Sequence, residues 1–126
     1  MNERTAKKLL DAYRACAEIQ LQMIGVDRSA YDANRLLRLG IQRLIGILGE
    51  ALNEASKDEL ELIGPIPELR QIISTRHKIV HGYDSIDRDA IWEIASSRMA
   101  DLSMRLSRVL TDAGFAGDLS REDDWI

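Results

Sequence analysis

Apolar residues recur at intervals of three and four along most of the chain, the period of an amphipathic helix rather than the two-residue alternation of a half-buried strand. From about Glu3 to Ile24, the residues Leu9, Leu10, Tyr13, Cys16, Ala17, Gln20, Leu21 and Ile24 fall largely on one helical face. Gly25 can close that helix in a left-handed conformation, and Asp27 or Ser29 can cap the next by accepting its free N–H groups. The second helix is predicted to run unbroken to about Ala55, with Leu37, Ile41, Leu44, Ile45, Leu48 and Leu52 as its apolar stripe and Arg35, Arg38 and Arg43 around it. Gly46 and Gly49 both cost helix propensity inside that segment. Close approach of another helix backbone is the physical reason to accept the cost.

Ser56 to Ile63 reads as a short helix, broken by Gly64, Pro65 and Pro67. Pro67 suits the first turn of a new helix, for which Leu69, Ile72, Ile73, Ile79 and Val80 supply buried positions and His81-Gly82 the end. Asp87 can cap a last long helix through about Asp112, with Ile91, Ile94, Ala95, Leu102, Leu106, Val109 and Leu110 facing inward and Gly114 terminating it. The expectation is an all-α fold with one domain over residues 1–114. The acidic stretch 115–126, GFAGDLSREDDWI from Gly114 onward, is expected to be a mobile tail unless a partner orders it.

Composition narrows the picture. A 126-residue chain with 45% hydrophobic residues can build one core, and 30% charged against 5% aromatic content favours helices. The net charge of −4 argues against a protein that coats duplex nucleic acid, though it leaves room for a local basic cleft. The single Cys16 cannot form an intrachain disulfide and reads as a small core residue in a reducing compartment. The start MNERTAKKLL lacks the apolar run of a signal peptide, and no stretch approaches the roughly 18 apolar residues of a membrane span. The expected location is cytoplasmic, with no membrane partner.

The residues with chemistry to offer cluster between positions 76 and 83. Arg76 and His81 are five apart, which at roughly 100° per residue separates them by about 140° around a helix. They do not share a face unless the helix end redirects the imidazole. His77 and His81, at i and i+4, do share one. Two histidines at this spacing could hold a metal only with a third protein ligand, and neither an H-E-x-x-H motif nor a cysteine cluster supplies it. No metal and no cofactor is expected. Taken alone, His81 near a helix C-terminus is better explained as structural, since the helix dipole favours an imidazolium there and its N–H groups can satisfy terminal carbonyls.

The segment PIPELRQIISTRHKIVHGYDSIDRDAIWEI, with Arg76, His81 and Tyr83 in an R-x-x-x-x-H-x-Y arrangement, resembles the signature region of HepT-like members of the HEPN superfamily. RLIGILGEAL, with Leu48-Gly49-Glu50-Ala51, resembles an I-G-E-A element of the same proteins, and the resemblance spans residues 36 to 93. Two positions depart from the pattern: His77 stands where Asn is common, and Glu68 where an aromatic is frequent. The first keeps a polar residue beside the arginine; the second puts only local packing in question.

The resemblance implies a bundle of four or five helices that forms a symmetric homodimer, with the two motifs facing each other across an interfacial cleft. It implies a metal-independent endoribonuclease, the toxin of a type VII-like toxin–antitoxin pair, in which Arg76 and His81 are catalytic and His77 supports them. RNA supplies its own nucleophile, so the requirements are a base, a proton donor and a cation; an imidazole, with an ordinary pKa near about 6.5, and a guanidinium meet them. The expected products are a 2′,3′-cyclic phosphate and a 5′-hydroxyl. The partner would be a minimal nucleotidyltransferase that adenylylates Tyr83, a role favoured over the alternative that Tyr83 packs its ring at the cleft edge. The alternative function is a noncatalytic HEPN partner of such a nucleotidyltransferase. Arg70, Lys78 and Arg88 lie near the motif as possible RNA guides, and Arg98, Arg105 and Arg108 recur on the last helix as an expected solubilising set.

Overall fold

A computed structural model of the chain describes residues 1–82, 84 and 86–120; Tyr83, Ser85 and 121–126, with Trp125, lie outside the described residues. All regular structure among these residues is helical: α1 (Glu3–Gln22), α2 (Arg28–Ala33), α3 (Arg35–Asp58), α4 (Leu60–Ile63), α5 (Leu69–His81), α6 (Arg88–Glu93) and α7 (Met99–Asp112). A five-residue π segment, Ile94–Arg98, joins α6 to α7, and a 3-10 turn covers Ala116–Ser120. The architecture is a bundle in which α1 and α3 share the most extensive interface, α7 packs on α1, and α5 packs on α3.

The antiparallel pairing of α1 and α3 is fixed at both surface and core. Lys8 meets Glu54 at 2.9 Å, and the Thr5 hydroxyl donates to Asp58 at 3.1 Å. Leu9, Cys16 and Ile19 from α1 and Ile41, Ile45, Leu48 and Leu52 from α3 are fully buried between them. Asn2 caps α1 by accepting from the Thr5 N–H at 2.8 Å. Gly25, at φ 70°, occupies the left-handed region predicted for it after α1, and Gly114, the expected terminator of α7, does the same at φ 91°.

Four expectations need correction. The second helix is not continuous: Asn34, at φ −108° and ψ 92°, leaves the helical region and starts α3 by accepting from the Leu37 N–H at 3.0 Å. An asparagine that bonds the following turn competes with continuation of the preceding one. Pro67 precedes α5 rather than occupying its first turn, because α5 begins at Leu69. Val80 is 51% exposed, and the C-terminal end of α1 leaves Leu21 60% and Ile24 74% exposed. The last helix is interrupted by the π segment, where Ser96 and Ser97 hydroxyls donate to the Trp92 and Glu93 carbonyls at 2.6 Å each. Serines bonding back one turn stabilise carbonyls that a widened turn loosens. The extra residue re-phases the helix so that Met99, 2% exposed, joins the core.

Two other features refine the sequence reading. Glu68 is not merely a packing variant: it is buried, and Arg105 of α7 approaches its carboxylate at 3.8 Å. Arg105 therefore ties the start of α5 to α7 rather than only solubilising the surface. Phe115 and Leu119 pack against the core.

Cys16 is 0% exposed, and its thiol is pushed up to about 12, first by burial and then by the charge of Glu68. The native protein is therefore expected to resist alkylation by iodoacetamide at pH 8 and to react once unfolded in guanidinium. Labelling of the native chain at the unfolded rate, read by intact mass, would contradict this placement.

Candidate functional site

α5 touches the rest of the bundle along one side only. Ile72 and Thr75 are its buried residues, while Arg70, Ser74, His77, Lys78 and His81 are exposed. A helix of 13 residues held by so narrow a stripe depends on that contact being close.

Gly49 makes it close. A Cβ at this position would lie 2.5 Å from Cβ and 2.9 Å from Cγ of Arg76, and 3.3 Å from the Ile72 carbonyl oxygen. The glycine thus receives the stem of Arg76 against the backbone of α3, and the half-exposed arginine is braced along its aliphatic carbons. Gly46 does nothing comparable: a Cβ there would meet nothing within 4 Å. The expectation of close helix approach holds at Gly49 and fails at Gly46.

The Nε of Arg76 is buried and has no hydrogen-bond partner among the described residues. A buried guanidinium donor without an acceptor is costly. His81 ends α5, where the Gly82 N–H closes the last turn on the Lys78 carbonyl at 2.9 Å. Its ring meets that of His77, with centroids 4.7 Å apart and planes inclined by 50°. The structure therefore brings His77 and His81 together on an exposed face and sets Arg76 on the side of α5 that meets α3, as the angular spacing implies. Tyr83 lies outside the described residues.

The neighbouring elements are tied to α5 by specific polar contacts. Gln71 donates to Glu93 at 2.7 Å, and Arg98 donates to the same carboxylate at 2.8 Å. The Gln71 bond, followed by that from Arg98 and opposed by burial, holds Glu93 below the usual carboxylate range. Trp92 packs on Tyr31 of α2 with centroids 5.3 Å apart, and Arg28 lies 5.9 Å over its ring while bonding Asp89 at 2.7 Å and Asp32 at 3.0 Å. Arg88 also reaches Asp32 at 3.7 Å, so this arginine is engaged within the fold; Arg70 and Lys78 remain exposed beside the motif. Among the described residues, no group of three or more His, Cys, Asp or Glu side chains is placed to hold a metal ion, and no helix is long and apolar enough to cross a membrane.

Sequence reasoning treated Gly46 and Gly49 alike and missed the buried Glu68–Arg105 contact and the docking of Trp92 on Tyr31. The signal for Gly49 was present in its position within RLIGILGEAL, but nothing in one sequence pairs it with Arg76. Glu68 and Arg105 are separated by 37 positions (105 − 68), beyond the reach of helical periodicity.

Comparison with known proteins places the chain in a family. A family model described as ribonuclease HepT-like matches residues 10–109, which include the whole of α3 and α5. The chain is 23% identical over 87 residues to the candidate RNase MJ0125 of Methanocaldococcus jannaschii, covering 69% of this chain and 74% of that protein. It is 24% identical over 79 residues to the candidate RNase MJ1216 of the same organism, covering 63% of this chain and 64% of that protein, slightly under two thirds of its length. No solved structure matches significantly.

If Gly49 is what admits Arg76, the two glycines must respond oppositely to alanine. Gly49→Ala is expected to lower stability by about 1–3 kcal/mol through overpacking. Gly46→Ala is expected to raise it by about 0.5–1 kcal/mol through helix propensity. Urea denaturation of both variants checks the pair; equal shifts of the same sign would contradict the assignment.

Proposed function

Because the chain belongs to the HepT-like ribonuclease family of the HEPN superfamily, we propose that it is the toxin of a toxin–antitoxin pair and cuts RNA without a metal ion, using Arg76 and His81 with support from His77. The observation that carries this reading is the bracing of Arg76 by Gly49, which leaves a buried guanidinium donor unsatisfied on the helix that ends in the exposed His81.

The chemistry follows from what RNA itself provides. The 2′-hydroxyl attacks the adjacent phosphorus once its proton is removed, and an imidazole is suited to that transfer at neutral pH. Negative charge on the nonbridging oxygens is met by the guanidinium, which is held in place before the substrate arrives. The donor set of the motif, one guanidinium and imidazoles without a carboxylate cluster, suits this route better than a metal-bound nucleophile.

The divergence of Arg76 from His81 favours a site built from two motifs, one from each subunit of a symmetric homodimer. Apolar side chains left in water support it: Leu36 is 81%, Leu39 51% and Val80 51% exposed. Light scattering is expected to give twice the monomer mass of 14.2 kDa, and a monomeric species at micromolar concentration would count against the shared cleft.

Control is assigned to Tyr83, two residues past His81, as the acceptor of AMP from a minimal nucleotidyltransferase antitoxin. An added nucleotide beside Arg76 would compete with RNA by charge and volume. With that partner, ATP and magnesium, intact mass should rise by one or more AMP units in the wild type and stay unchanged in Tyr83→Phe. An unmodified wild type, with the partner active on another substrate, would leave neutralisation to complex formation.

The direct test is total RNA incubated with purified protein in EDTA. The wild type is expected to cut it, while Arg76→Ala and His81→Ala, verified as folded by circular dichroism, should lose roughly 10²-fold or more of the rate. Intact RNA with folded wild type would favour a noncatalytic HEPN partner of a nucleotidyltransferase instead.

A further inference from the structure

α5 presents two imidazoles, and both face the surface. His77 and His81 are exposed, and their rings touch at a centroid separation of 4.7 Å. Neither ring exchanges a hydrogen bond with another described residue, so neither is engaged in holding the helix. Arg76 and Lys78 are the charged residues that neighbour His77 along α5, and Asp84 and Asp87 follow the helix end in the chain.

Cleavage by the 2′-hydroxyl requires two proton transfers, one away from O2′ and one onto the departing O5′, on opposite sides of phosphorus in an in-line displacement. A single imidazole can serve only one of them in the same step, and His77 sets a second ring against His81 on the same helix. The geometry points to His77 and His81 as an acid–base pair, in which one ring is the general base and the other the general acid; this deepens the ribonuclease reading and rests on it. The neutral ring takes the 2′-hydroxyl proton as the O2′–P bond forms. The protonated ring gives its proton to O5′ as the P–O5′ bond breaks. The products are the 2′,3′-cyclic phosphate and the 5′-hydroxyl, and passage of one proton back between the adjacent rings restores both. His77 is then a catalytic residue in its own right, and one chain supplies both proton-transfer groups.

A bridging-sulfur substrate separates this from a structural role, because a 5′-thiolate departs without needing a proton. On ordinary RNA, His77→Ala and His81→Ala are each expected to slow cleavage by roughly 10²–10⁴-fold. On an oligonucleotide with a 5′-bridging phosphorothiolate, one of the two variants should return to near the wild-type rate and the other should not. His77→Gln, which keeps a polar side chain that cannot shuttle a proton, should behave as His77→Ala. Rescue of both variants or of neither, or a wild-type rate for either His77 variant on ordinary RNA, would overturn the pair. In those cases wild-type cleavage would leave the ribonuclease reading standing. A wild type that cuts neither substrate would bring down both.

Discussion

The close contact of α3 with α5 at Gly49 is the constraint on which the rest of the site depends. α5 has only two fully buried side chains, Ile72 and Thr75, with Leu69 and Ile79 partly buried against the core beside them. The missing Cβ at position 49 lets Arg76 lay its stem on α3, which makes a flexible cation into a positioned one. In the proposed role, side-chain entropy otherwise lost on binding a phosphate is lost on folding. The polar ties around it, Gln71 to Glu93 and Glu68 to Arg105, fix the same helix against α6 and α7.

That arrangement also explains how one short helix can carry two kinds of chemistry. The side that meets α3 carries Arg76, whose stem lies against Gly49 and whose Nε is buried. His77 and His81 stand exposed on another face, which the proposed proton transfers require. Separation around the helix thus gives each group a different environment, in keeping with the different roles proposed for them.

Much of this was legible in the sequence, and the failures have physical causes. Helical periodicity located α1, α3, α5 and the α6–α7 course, since burial of a stripe is what writes that period. It did not find the break at Asn34, because a local side-chain bond to the Leu37 N–H outcompeted a continuous pattern. It misplaced Val80, Leu21 and Ile24, because an apolar residue at the right spacing is buried only where another element covers it. The motif was visible as spacing, and the family resemblance supplied its meaning; the pairing of Gly49 with Arg76 and of Glu68 with Arg105 are tertiary facts that no single-chain pattern encodes.

The central claim is that this scaffold lets RNA attack itself through the 2′-hydroxyl while Arg76 and histidine side chains manage charge and protons. The ends left by cleavage test it most directly. Analysis of fragments from RNA cut by the purified wild type should give 2′,3′-cyclic phosphate on one side of each break and 5′-hydroxyl on the other. Fragments bearing 5′-phosphate and 3′-hydroxyl ends would show that water or a metal-bound hydroxide was the nucleophile, and would contradict the account.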